Sequence, residues 1–269
     1  VPTEKRLRQK EARRAKLEQQ RKKQKLSALR KRIITIVGVS AVVLLTAIWI
    51  FSSNSSTPTT TSTTTTSSAS GSTTAITQAQ ADQRASAAGC PESTAQRVNT
   101  MQFASEPAIT IDTTKQYYAN FVTTAGNFRI ALDAAKAPHT VNSFVFLARH
   151  GYYHCVIFHR VITDFVVQGG DPTGTGSGTP GYSFKDENMP QTGYPLYSVA
   201  MANSGANTNG SQFFIVSGPS GEALPGQYSL FGQVDEGTNV IKILNAAGNA
   251  NGVPPTITHR ILSVTITEK

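Results

Sequence analysis

A mainly β domain is what the sequence predicts for the C-terminal part of this 269-residue chain: a closed eight-stranded antiparallel barrel capped by two α-helices, preceded by one transmembrane helix and a Ser/Thr-rich linker. Three observations carry that reading. Eight short β-branched and aromatic runs follow one another from Tyr117 to Thr267, separated by Gly, Pro, Asn and Asp. Just two stretches with helical boundaries interrupt them. Upstream of about residue 115 the β rhythm is absent, and the composition changes three times.

Residues 1–32 contain 14 Lys and Arg against 3 acidic residues, a net +11, whereas residues 33–269 contain 11 against 13. The formal +9 of the chain therefore belongs to a tail, and nucleic acid is not expected as a partner, because the remainder is slightly acidic. From Ile33 to Phe51 the chain runs 19 residues without a charge. At about 1.5 Å per residue that is roughly 29 Å, the depth of a bilayer core, so this segment is read as an uncleaved transmembrane helix. A cleaved signal peptide fits less well, since its n-region would be 32 residues long. The positive charge upstream places the N-terminus in the cytoplasm and everything after Phe51 outside the cytoplasmic membrane. Residues 52–74 hold 19 Ser or Thr among 23, with nothing large to bury, and read as a spacer. An extension, residues 75–114, leads into the domain at 115–269.

The expected strands are Tyr117 to Thr124, Asn127 to Leu132, Val156 to Ile162, Phe165 to Gln168, Ser198 to Met201, Gln212 to Ser217, Leu230 to Val234 and Ile257 to Thr267. The helices are Pro138 to His150, opened by proline and stopped by Gly151, and Thr238 to Ala247, stopped by Gly248. Gly and Pro crowd residues 169–195, and an irregular stretch that long inside a compact domain suggests a functional loop.

Familiar catalytic strings are missing: there is no GxSxG, HExxH or P-loop. The GxGxxG match at Gly176 to Gly181 contains a proline and opens no helix, so it fails the dinucleotide context. No metal and no cofactor are expected. Cys90 and Cys155 have no zinc or redox-motif spacing, and either one disulfide or two free thiols fits them. The dense signal lies in Phe158-His159-Arg160, Phe165, Gln168-Gly-Gly-Asp171, and then Met201-Ala202-Asn203 to Gln212-Phe-Phe214. Strand alternation predicts that Phe158 and Arg160 share one face, that Gln212 and Phe214 share one, and that His159, opposite Arg160, is structural.

These strings, in this order and spacing, resemble the cyclophilins, and the resemblance covers residues 115–269, including Gly151 to Tyr153, Pro172 to Gly176 and Phe231 to Val234. It implies a barrel with its groove on the outside and peptidyl-prolyl cis-trans isomerase activity on proline-containing polypeptides, here in a membrane-anchored bacterial, actinobacterial-like form. By position, Arg160, Phe165 and Gln168 match the catalytic residues, and Ala202, Asn203, Gln212, Phe214, Leu224 and Tyr228 match the substrate groove. Ala223 stands where the family often has Trp or Phe, and Val166 where it often has Met. The altered Ala223 loop motivates the alternative of a non-catalytic prolyl-peptide binding or chaperone module.

Overall fold

A computed structural model describes residues 76–269; the basic segment 1–32, the expected transmembrane helix 33–51 and the linker 52–74 lie outside the described residues. Among the described residues no helix is long and apolar enough to cross a membrane.

The elements follow the chain as α1 (Gln78–Ala87), β1 (Tyr117–Thr123), β2 (Gly126–Leu132), α2 (Pro138–Arg149), β3 (Arg160–Ile162) and β4 (Val166–Gly169). They continue as β5 (Ser198–Met201), β6 (Phe213–Val216), the single turn α3 (Pro219–Glu222), β7 (Leu230–Glu236), α4 (Thr238–Ala246) and β8 (Ile261–Glu268). All eight strands join one antiparallel sheet in the order β3-β4-β6-β5-β7-β2-β1-β8.

The expected closed barrel is realised as a curled sheet. Its outer strands, β3 and β8, share no ladder; the segments just before them meet at the isolated bridge Ile157–Arg260, flanked by Phe158 N–H to His259 O and Ile261 N–H to Val156 O. The reason lies in residues 156–159. Cys155 has φ +63°, and the chain beyond it does not alternate, so β3 is three residues long instead of the expected seven. Phe158, 1% exposed, enters the interior core with Val161, and the expected shared face of Phe158 and Arg160 is not formed. At the other end β8 begins at Ile261, because His259 and Arg260 are both buried and leave no alternating face before it.

Alternation holds where it was clearest. In β1 Tyr117, Ala119 and Phe121 point inward, and in β2 Phe128, Ile130 and Leu132 do, so the register pairs Phe121 with Phe128 and stacks their rings at 4.6 Å. Phe144 and Leu147 of α2 and Val240, Ile241 and Leu244 of α4 cover the same core from helical spacing. The N-terminus of α2 has no local side-chain cap; instead the carboxylate of Glu187, distant in sequence, accepts the Thr140 N–H. β5 and β6 are buried on both faces, because a second apolar cluster of Val166, Tyr194, Ala200, Phe214 and Val216 covers them outside, while on β4 Gln168 stays half-buried.

The extension is packed against the sheet. α1, which the sequence did not signal because only Ala81 and Ala85 on it are buried, opens with a capping box between Thr77 and Gln80. Arg84 Nη1 donates to Thr124 O at 2.9 Å, the Thr258 N–H donates to Gln78 Oε1 at 2.8 Å, and Cys90 is joined to Cys155 as a disulfide, leaving no free cysteine among the described residues.

Two stability predictions follow from this packing. The bridge closes a loop of 65 residues, so the Cys90→Ser/Cys155→Ser protein is expected to lose about 2–4 kcal/mol in chemical denaturation. An unchanged midpoint would show that the extension's hydrogen bonds hold it alone. Burial, helped by Arg84, lowers the pKa of His259 from 6.5 to about 4. The unfolded chain therefore binds a proton near pH 6.5 that the folded protein takes up only near pH 4. Stability is expected to fall by about 3 kcal/mol across that window as pH drops. Denaturation of His259→Asn at both ends of the window should show most of that slope gone; an unaltered slope would assign it to other groups.

Candidate active site

The site is assembled by the antiparallel register. Arg160 on β3 is the partner of Gln168 on β4, Gln168 is the partner of Phe214 on β6, and Phe214 is the partner of Ala200 on β5. Direct partners share a face, so these four stand in one row on the outer side of the curled sheet. Gln212, two residues before Phe214, lies on the same side, while Phe213 between them fills the interior.

Hydrogen bonds order this row. Arg160 Nη1 donates to Gln168 Oε1 at 3.1 Å, and Gln168 Nε2 donates to Gln212 Oε1 at 3.1 Å. Gln212 Nε2 in turn donates to the carbonyls of Gly176 and Gly178 at 2.9 and 3.1 Å. The Arg160 guanidinium is half-buried and lies 5.6 Å from the Phe165 ring centroid, within cation–π reach. Its remaining donors have no carboxylate partner, since none of the ion pairs among the described residues includes Arg160. A charged fork is thus presented beside an apolar floor.

That floor is the outer cluster. Phe214 meets the Tyr228 ring edge-on at 5.2 Å and Tyr194 at 6.1 Å, and Phe165, Ala202, Leu224 and Tyr228 pack around it, partly exposed. Asn203 is fixed by its Nδ2 donating to Gln227 O and its Oδ1 accepting the Gly205 N–H. Beside the row opens a cavity of about 140 Å³ lined by Gln168, Ser177, Thr179, Asn203, Thr208 and Gln212. A larger one, about 480 Å³, lies elsewhere on the sheet between Lys115, Asp133 and Gln233, and none of these groups lines it.

All nine expected site residues thus fall on one outer surface, with Ala223 exposed at its edge. His159 is structural: it is 4% exposed, both ring nitrogens lack a hydrogen-bond partner, and burial lowers its pKa, with Arg160 adding to the shift and Asp171 opposing it. Such a ring stays neutral and offers no surface for proton transfer.

Sequence reasoning gave no role to two groups. Tyr194 sits under the floor, its hydroxyl donating to Tyr228 O and accepting the Tyr228 N–H, both at 2.8 Å. It is one of three aromatics in the Gly/Pro-rich stretch 169–195, with Tyr182 and Phe184, and no local pattern sets it apart from them. Asp171 knots the glycine loop: Oδ1 accepts the Thr173 N–H and hydroxyl, and Oδ2 accepts the N–H groups of Gly176 and Gly178. Burial pushes its carboxyl up, yet the bonds from Thr173, Gly178 and Gly176 outweigh that and hold it below the ordinary carboxylate value. Gly170, at φ +90°, lies so close to Ser211 O that an added Cβ would fall 2.3 Å from it, so glycine is required beside the site.

The proteins most similar to this chain belong to one family. The family model described as cyclophilin type peptidyl-prolyl cis-trans isomerase/CLD matches residues 118–266. Peptidyl-prolyl cis-trans isomerase CYP18-2 of Arabidopsis thaliana is 44% identical over 135 residues, covering 48% of this chain and 80% of that protein. Peptidyl-prolyl cis-trans isomerase-like 1 of Aspergillus niger is 43% identical over 155 residues, covering 55% and 94%. A crystal structure of a Cryptosporidium parvum cyclophilin type isomerase superposes with a TM-score of 0.53 at 33% identity, over 57% of this chain and 99% of that one; the same protein in the presence of the dipeptide Ala-Pro gives 0.52. A curled eight-stranded sheet with an arginine, glutamines and an aromatic floor on its outer face, and a family match over more than half its length, place the chain in the cyclophilin-type peptidyl-prolyl cis-trans isomerase family.

Proposed function

We propose that this isomerase works by electrostatic stabilisation of a twisted X-Pro amide by Arg160, on polypeptides outside the cytoplasmic membrane to which residues 33–51 tether it. Isomerisation breaks no covalent bond: the barrier of about 18–20 kcal/mol is the amide resonance lost on rotation. Nothing is required beyond tighter binding of the rotated form than of either planar one.

The hydrogen-bonded row Arg160–Gln168–Gln212 beside Phe165 and Phe214 carries this reading. A guanidinium keeps its charge at every relevant pH, and the one at Arg160 reaches the carbonyl before proline and the pyramidal prolyl nitrogen with donors Gln168 does not use. Phe165, Phe214, Leu224 and Tyr228 offer the proline ring an apolar seat, while Gln212, Asn203 and Ala202 flank the backbone on either side. That a similar isomerase was crystallised with Ala-Pro supports a prolyl peptide as the ligand of this surface. The tether rests on the 19 uncharged residues Ile33 to Phe51, the 14 basic residues before them and the Ser/Thr spacer after them. Those features support a membrane-anchored bacterial form whose enzyme domain meets newly exported chains.

Arg160→Ala is expected to lower kcat/KM on a proline-containing peptide by about a hundredfold, and Arg160→Lys to recover little of it. Wild-type turnover in Arg160→Ala would remove Arg160 from the mechanism while leaving the enzyme. For topology, protease added to intact cells should digest the domain at 76–269 while leaving residues 1–32 protected, and the chain should stay with membranes after alkaline washing. Release into the soluble fraction would sink the anchor.

A further inference from the structure

The extension lies upstream of the residues matched by the family model, yet it bonds the loop that supports the site. Residues 169–181 contain six glycines in 13 positions, a composition with much conformational freedom to lose. The inner side of this loop offers the Gly176 and Gly178 carbonyls to Gln212. Its outer side is held by the extension at both ends. The Val98 N–H donates to Pro172 O at 2.9 Å, the Phe103 N–H to Pro180 O at 2.8 Å, and Gln102 Nε2 to Thr179 O at 2.8 Å. The approach is close enough that a Cβ on Gly181, at φ +96°, would fall 2.6 Å from Phe103 O. The extension is itself fixed to the body of the domain, by Asn99 Nδ2 donating to Tyr152 O at 2.7 Å and by the Phe103 ring edge-on to Phe146 at 4.8 Å.

We propose that Gln102 and the backbone N–H groups of Val98 and Phe103 are positioning residues for the isomerase site. They hold the glycine loop where its carbonyls fix the Gln212 amide, and Gln212 through Gln168 orients the Arg160 guanidinium. Direction matters at each link. The loop carbonyls take Gln212 Nε2, which leaves Oε1 as the end that meets Gln168 Nε2; that in turn leaves Gln168 Oε1 to accept from Arg160. If the loop carbonyls withdraw, the Gln212 amide is free to rotate and present a donor to a donor, and the arginine loses its partner. The inference rests on the Arg160 reading given above.

The test uses the full chain and a proline-containing peptide, with kcat and KM separated and activity expressed per folded molecule by circular dichroism. Gln102→Glu with Val98→Pro removes two donors and is expected to lower kcat about fivefold to tenfold, with KM changing less than about twofold. Gln102→Lys, which keeps a donor, should retain more activity than Gln102→Glu. In a Gln212→Ala background the same Gln102 and Val98 changes should have no further effect. Unchanged kcat per folded molecule, or effects that multiply with Gln212→Ala, would overturn the inference. Wild-type activity of Arg160→Ala would overturn the site reading first; an inactive Arg160→Ala with wild-type kcat in the extension variants would overturn this inference alone.

Discussion

The whole arrangement depends on the interior of the curled sheet being filled. Phe121, Phe128, Phe144, Tyr153, Phe213 and Phe231 interlock there at centroid distances of 4.6 to 6.3 Å, with α2 and α4 covering the ends. A peptide has no room inside, so a binding surface must be built from residues pointing the other way. Period-two geometry then makes the consequence automatic: with Phe213 inward, Gln212 and Phe214 face out. Their partners across the register, Gln168 and Arg160, come out with them.

In the proposed mechanism an outer surface that carries a guanidinium, amides and several aromatic rings needs rigid support, since misplacement by even an ångström would weaken selective binding of a twisted amide. Support comes from below through Tyr194, which ties the Tyr228 backbone under the floor, and from the side through the Asp171 knot. Asp171 shows why the loop is polar: a buried carboxylate stays ionised because four donors meet it. The extension adds an outer brace to the same loop, and its own anchorage runs through Asn99, Phe103 and the Cys90–Cys155 bridge.

How readily each part could be read from sequence follows from the range of the interactions behind it. β1, β2 and β5 were legible because alternation or a short apolar run was backed by local turn residues. β3 is shorter than its composition suggests: Val156–Phe158 has strand-like residues, but the turn at Cys155 and the burial of Phe158 in the core are not local propensities. α1 carries little sequence signal for the opposite reason: a polar helix with two buried alanines is held by a cap, a disulfide and bonds to residues 124 and 258.

The amino-acid sequence alone shows a β-rich C-terminal domain, its densest motif strings in the Phe158–Asp171 and Met201–Phe214 segments, and no metal-hydrolase or nucleophile motif. Those are properties of composition, period and motif, written within a few residues of one another. The tertiary structure alone decided which ends of the amides meet, that His159 is sealed while Arg160 is presented, and that residues 98–103 brace a loop some seventy to eighty positions away. Hydrogen-bond direction and burial depend on neighbours brought together by the curl of the sheet, and no local pattern encodes them.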